Sequence, residues 1–260
     1  MASQLGKNGK NIGISWCDAT VNLWWGCAKV HTGCKNCYAE HLSDVRYKNN
    51  LWGEKAMRKR IKSAFHDLNK YQTEAAHQNI KYKVFCGSMM DIFEDSKELV
   101  NPIPDFETTG LLRHQLFKNI TSGKYPNLIF LFLTKRPENI YHYIPNSWSF
   151  FPPKNVWFGL SLSNQETADK YLPEFDNVLF KNKFLSIEPQ VGEIHTLDLN
   201  NIKWVIQGGE SGTKKRQFNI NWVTQIHSIC KQQNVAYFFK QIDKVTPIPE
   251  ELLIREFPQF

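Results

Sequence analysis

Leu128–Ile140 reads LIFLFLTKRPENI. Its first seven residues form an almost unbroken apolar run, and the next, Lys135 and Arg136, are charged. A strand that alternates apolar with polar residues keeps one face in water, whereas one that is apolar throughout is covered on both faces, as in a parallel sheet. The same pattern recurs at YKVFCGS (82–88), NVWFGLS (155–161), KFLSIEP (183–189), IKWVIQGG (202–209) and VAYFFKQ (235–241). Between these runs lie segments of helical spacing: DFETTGLLRHQLFKNITSG, RPENIYHYI, NQETADKYLPEF and NINWVTQIHSICKQQ. With a first strand near Ile12–Trp16 or Val21–Trp25, about seven strands follow in βαβα order. The expectation is a single α/β domain over residues 1–260, with a basic helical insert at about 50–80.

An open doubly wound sheet and a barrel share this order, and the strand ends decide between them. Ser88 and Asp91 follow the second strand, Thr134, Lys135 and Arg136 the third, and Ser161 and Ser163 end the fourth. Glu188 closes the fifth, Gly208, Gly209, Glu210 and Ser211 close the sixth, and Lys240 and Gln241 the seventh. Polar groups at the ends of so many strands meet at one site only if the sheet curls, so the expectation is a full or partial (βα) TIM-type barrel of mostly parallel strands, with a cysteine loop after the first.

The chain has 260 residues, of which 42% are hydrophobic and 13% aromatic, enough for a substantial core. MASQLGKNGKNIGISW at the N-terminus has no apolar segment of signal-peptide type, and no run reaches the ~18 apolar residues of a membrane span. This points to a soluble, cytoplasmic protein with no membrane partner, in which cysteines are metal ligands or reactive thiols rather than disulfides. The net charge of +7 is densest in KAMRKRIK (55–62) and TKKR (213–216). Such clusters suit phosphate backbones, or are solvated faces.

Three of the six cysteines, Cys27, Cys34 and Cys37, fall in GCAKVHTGCKNCYAE (26–40) with the spacing C-x6-C-x2-C. Three thiolates in one loop can bind three irons of a [4Fe–4S] cluster and leave the fourth iron open. The spacing also admits structural zinc, with Cys17 or His31 as fourth ligand, and packing cysteines without metal. Cys86 and Cys230 lie in apolar runs and read as core residues. Trp16, Asp18, Thr20 and Asn22 alternate with Cys17, Ala19 and Val21 as in a strand, with Asp18 anchoring the cysteine loop through backbone hydrogen bonds.

ISWCDATVNLWWGCAKVHTGCKNCYAE, followed in order by VFCGSMMDIF, FLFLTKRPENI, VWFGLSLSNQ, FLSIEPQVGEI, WVIQGGESG and FFKQ, resembles an uncharacterised, often phage-encoded family. That family looks like an outlying branch of the radical S-adenosylmethionine (SAM) superfamily near spore photoproduct lyase. The resemblance implies a partial TIM-type barrel holding a [4Fe–4S] cluster and SAM, where one-electron reduction cleaves SAM to methionine and a 5'-deoxyadenosyl radical that abstracts a substrate hydrogen. It also implies an electron donor such as flavodoxin or ferredoxin. Two features depart from the superfamily: the first cysteine gap is six where three is usual, with Tyr38 after rather than before the last cysteine, and Gly208-Gly209-Glu210 follows the sixth strand, not the second.

On this resemblance Lys135 or Arg136 would bind the methionine carboxylate, Asp91 or Glu188 its ammonium, and Ser161, Ser163 or Glu188 the ribose diol. Tyr38 would wall the adenine, and Glu210 and Ser211, framed by glycines, would hold substrate or phosphate. Lys135, Glu188 and Glu210 are the candidate catalytic residues, and Ser88, Gly208 and Gly209 complete the candidate cofactor-binding set. A nucleic-acid base or nucleotide is the expected substrate. The alternatives are a zinc-stabilised nucleic-acid-binding protein without a reaction, and a barrel hydrolase or transferase with a structural metal.

Overall fold

The computed structural model describes residues 14–260. Its strands are β1 Ala19–Val21, β2 Trp24–Trp25, β3 Arg58–Arg60, β4 Tyr82–Cys86, β5 Glu98–Ile103, β6 Phe106–Thr108, β7 Leu128–Thr134, β8 Val156–Leu162, β9 Lys183–Ile187, β10 Trp204–Gly208 and β11 Ala236–Gln241. Seven of them make one all-parallel sheet in the order β1-β4-β7-β8-β9-β10-β11. Each new strand is added on the same side of the last, so there is no reversal point of the doubly wound kind. The right-handed twist accumulates in one direction and the sheet curls into a half-barrel flanked by helices, the partial barrel expected from the strand ends. Among the described residues no helix is long and apolar enough to cross a membrane.

Two expectations are corrected. Of the alternative first strands, Ile12 and Gly13 lie outside the described residues and Ile14–Trp16 is not extended; the strand is Ala19–Val21. The stretch at 50–80 holds one strand and one helix. Its helix, Ala64–His77, is the crossover from β1 to β4, burying Ala64, Leu68 and Ala75. Its β3 joins a second, four-stranded sheet in the order β2-β3-β5-β6. Three of its strands have only two or three residues, too few for the sequence to announce them by periodicity. Asp18 is tied to the start of β4, accepting from the Lys83 amide at 2.7 Å and pairing with its ammonium at 2.8 Å, rather than to the cysteine loop.

The two faces of the sheet carry different residues. Successive side chains alternate across a strand, so one parity of each packs outward against the helices, as Phe130, Phe132, Phe158 and Leu185 do in the main core. The other parity meets on the concave side, where Trp16, Phe85, Leu131, Trp157, Phe184, Trp204 and Phe238 form a separate cluster. Residues 254–256 run antiparallel beside β11, and the rings of Phe257 and Phe260 lie 5.4 and 5.7 Å from Trp204. This is the layered filling of a closed barrel, achieved in an open one with larger side chains and a tail.

Along the concave parity, size falls toward the C-terminal ends. Phe85 is followed by Gly87, Trp157 by Gly159 and Ser161, Phe184 by Ser186, and Trp204 and Ile206 by Gly208. The aromatic floor therefore gives way to a space at the strand ends. Gly159 marks the boundary: a Cβ there would lie 2.2 Å from the tip of the Phe184 ring. Overpacking of this kind costs about 1–3 kcal/mol. Gly159→Ala should lose that much by urea denaturation, and Phe184→Leu added to it should restore part of the loss.

Candidate functional site

The space above the aromatic floor is a cleft of about 1060 Å³ counting its open mouth. Five parallel strands deliver residues to it from their C-terminal ends: Ser88 and Asp91 after β4, Lys135 after β7, Ser186 and Glu188 at the end of β9, Gly209 and Glu210 after β10, and Lys240 in β11. The opposite wall is the cysteine loop, which contributes Cys27, Cys34, Cys37 and Tyr38. All three clustered cysteines thus share one cleft with five of the expected strand ends.

A buried ionic network fixes the first half of the loop. The Ala28 amide donates to Glu94 Oε1 at 2.8 Å, and the Ala28 carbonyl accepts from Arg136 Nη2 at 3.0 Å. Glu94 takes a two-pronged pair from Arg58, at 2.9 Å to Nε and 2.6 Å to Nη2, and both side chains are almost wholly buried. Arg58 also donates to the carbonyls of Leu51, Gly53 and Ala56. Arg136 pairs with Asp91 at 2.9 Å, and Asp91 accepts in addition from Thr134 Oγ1 and the amides of Phe93 and Lys135. Gly26, at φ +117°, lets the loop pass over this network; a Cβ there would sit 2.5 Å from Arg58 Cδ.

The second half is fixed by Glu210. It accepts from the backbone amide, Nε and Nη2 of Arg216 at 2.8, 3.0 and 2.6 Å, and from Asn36 Nδ2 at 3.0 Å, while Arg216 Nη1 donates to the Thr32 carbonyl at 3.0 Å. After Cys37 the chain enters a helix, Tyr38–Glu40, that continues as a π-helix over His41–Arg46, a local form that often marks functional sites. Tyr38 donates its hydroxyl to the Ser88 carbonyl at 2.7 Å and is 44% exposed.

Burial, reinforced by the Glu94 and Asp91 carboxylates, pushes the Cys27 thiol above the ordinary thiol range, and burial also raises Cys37. His31 is driven the other way, to about 3, by burial and then by the nearby Lys135 charge, and stays neutral. Its Nδ1 accepts from the Gly33 amide at 3.0 Å. Lys135 makes no ion pair among the described residues, whereas Lys240 pairs with Glu188. The cleft therefore holds one uncommitted cation beside three thiols.

These partnerships bear on several roles expected of single residues. Arg136 and Asp91 are paired with each other at 2.9 Å, and of the two only Asp91 lines the cleft. Ser161 and Ser163 are fully buried and do not reach the cleft, and neither Arg136 nor Gly208 lines it. Glu210 lines the cleft with both oxygens occupied by Arg216 and Asn36. Cys17 lies against the aromatic floor with its Sγ on the Ile14 carbonyl, so neither it nor His31 is placed as a fourth ligand beside the three cysteines. Among the described residues no group of three or more His, Cys, Asp or Glu is gathered around a point as a metal ion requires. Cys86 and Cys230 are core residues. Glu94, Arg58 and Arg216 support the site without the sequence marking them as site residues. Lys240 carries a readable signal, a charge at the end of an apolar strand; those three act through partners distant in sequence.

Fold and cleft together define an α/β half-barrel protein with a thiol-lined site at the carboxyl ends of its strands. The chain belongs to the family described as protein of unknown function DUF5131, whose model matches residues 11–250. No curated protein and no solved structure matches it.

Removing one member of a buried ion pair costs about 3–5 kcal/mol, because the other charge is left unpaired. Arg58→Met and Glu94→Gln should each lose that much in urea unfolding, and the double variant clearly less than the sum of the two. Burial opposes the charge of Glu210, but the hydrogen bonds from Arg216 and Asn36 outweigh it and hold its pKa below the ordinary carboxylate value. A depressed carboxylate stabilises above its unfolded pKa and loses that contribution as pH falls through the folded one. Wild-type stability should thus drop below about pH 4.5 more steeply than that of Glu210→Gln, measured as urea midpoints at neutral and acid pH.

Proposed function

We propose that the protein is a cytoplasmic radical SAM enzyme of an outlying, phage-associated branch, in which Cys27, Cys34 and Cys37 hold a [4Fe–4S] cluster. The observation that carries this reading is that the three cysteines line one cleft at the carboxyl ends of a parallel half-barrel, next to an unpaired lysine. In a cluster each thiolate takes its own iron, so three cysteines would leave a fourth iron open. The all-thiol donor set is also the soft one that iron–sulfur centres use. When bound, the cluster and SAM supply one-electron cleavage of a sulfonium and, through it, hydrogen-atom abstraction.

The chain's own residues then have the following tasks. Lys135, the free cation, binds the methionine carboxylate. Glu188, held by Lys240, takes the ammonium, and the exposed Tyr38 walls the adenine. Trp16, Phe85 and Leu133 close the floor and keep water from beneath the site. Glu94 and Glu210 position the cysteine loop and do not touch the reactants. The reducing partner is a small electron carrier of the flavodoxin or ferredoxin type.

The test is anaerobic reconstitution with iron and sulfide, followed by low-temperature EPR of the reduced protein with and without SAM. A [4Fe–4S]⁺ signal that changes when SAM is added, and is absent from the triple Cys→Ala variant, is the expected result. Tight binding of a single zinc by the same thiols, with no cluster formed, would sink the proposal. Lys135→Met should keep the cluster signal and weaken SAM binding roughly ten- to hundredfold, the value of a charged hydrogen bond.

A further inference from the structure

A second cleft lies on the other side of the cysteine loop, and Asn36, Cys37, Tyr38 and Ser211 belong to the walls of both. It offers about 870 Å³ counting its open mouth, within the size of small-molecule sites. Its lining holds two lysines and two carboxylates, and among the described residues the lysines are the ones without partners. Lys35 and Lys214 are exposed and make no ion pair among the described residues. The two carboxylates beside them are committed: Glu40 to Lys29 at 2.8 Å, and Asp44 to the amides of Leu51 and Trp52 at 2.9 Å each. Of the neighbouring basic cluster at 213–216, Lys215 is paired with Asp243 and Arg216 with Glu210, so Lys214 is the lysine left to face the cleft.

The Glu210–Arg216 clamp draws the ends of this segment together and pushes Ser211–Lys214 out as an arch over the cleft. The Ser211 and Thr213 hydroxyls make no hydrogen bond among the described residues, and Gly212, at φ +108°, has open space where a Cβ would stand. Two free ammoniums and two free hydroxyls around a glycine turn are what a phosphate needs. Tyr38 lines both clefts, with Lys244 Nζ 5.7 Å from its ring centroid, and offers an aromatic surface to a base on this side as well as to the adenine on the other.

We propose that the second cleft is the substrate site and that the substrate is a nucleotide, with its phosphate on Lys35, Lys214, Ser211 and Thr213 and its base against Tyr38. This rests on the cofactor reading of the first cleft, since the shared wall at Cys37 and Tyr38 is what brings substrate and cofactor together. The concavity favours a nucleotide over an acidic protein partner, whose convex face would not fill it. The nucleotide is free or part of a single strand; both present the same phosphate and base.

The experiment is fluorescence anisotropy of the full reconstituted chain with two probes, a fluorescent nucleoside monophosphate and a short labelled single-stranded oligonucleotide, over a salt series. Both lysines are exposed, so Lys35→Ala/Lys214→Ala should fold normally and weaken binding by roughly tenfold or more, and should reduce the salt slope for the strand by about 1.4. Lys59→Ala/Lys62→Ala, on the small sheet and after it, should change neither. Binding of both probes identifies a free nucleotide as sufficient; binding of the oligonucleotide alone identifies a nucleotide within a strand. No binding of either, or equal weakening by the two double variants, overturns the proposal. So does unchanged nucleotide binding with slowed reduction by an acidic flavoprotein, which would make this face a docking site for the reductant. EPR on the same samples separates the two readings: a cluster without nucleotide binding defeats this site alone, and nucleotide binding without a cluster defeats the reaction and leaves the site.

Discussion

The Ala28 peptide unit is the point on which the site depends. Its amide is held by Glu94 and its carbonyl by Arg136, and each of these is held in turn by an oppositely charged side chain, Arg58 or Asp91. Such a chain of buried charges is expensive to desolvate and stands only when every member is satisfied. The return for that cost is placement. Arg58 belongs to the small sheet, Asp91 and Glu94 follow β4, and Arg136 follows β7, so a single peptide beside Cys27 is referenced to three separate parts of the fold. Glu210 and Arg216 perform the same service for the loop around Asn36.

The second constraint is the shape of the concave face. In a closed barrel the strands pack around side chains that fill the interior, and function sits in the loops. Here the sheet does not close, and the interior is filled by indoles and phenyl rings at one end and left open at the other, where glycine and serine take over. The cleft is therefore the continuation of the core by smaller residues, and its floor is as firm as the core itself. The wall facing the sheet is a loop held by ion pairs, because no strand stands there to supply one.

Much of the fold could be read from the chain. Apolar runs such as LIFLFLT and NVWFGLS state that both faces of the sheet are covered, and their polar termini state which end carries the site. The narrowing along Trp157, Gly159 and Ser161 was also open to inspection, by taking every second residue of each strand. Partnership was not open in this way. KAMRKRIK reads as a basic surface, yet Arg58 within it is wholly buried against a glutamate 36 positions away, and TKKR reads as free charge although Lys215 and Arg216 are both paired. Residue type is local, whereas who neutralises whom is set by the folded chain; neither TKRPEN nor GSMMD states that Arg136 and Asp91 pair with each other.

The strand beside β11 formed by residues 254–256 bears on how the molecule keeps to itself. An open parallel sheet has two unpaired edges, and a bare edge is a template on which another chain can add a strand. One edge, β1, is only three residues long; the other is covered through the bonds from Phe239 to Ile254 and from Glu256 to Tyr237. Phe257 and Phe260 of the same segment cap the aromatic floor. Peeling this one segment away would bare a strand edge and a greasy surface together, the combination that seeds self-association, so the segment guards against strand addition as well as plugging the barrel.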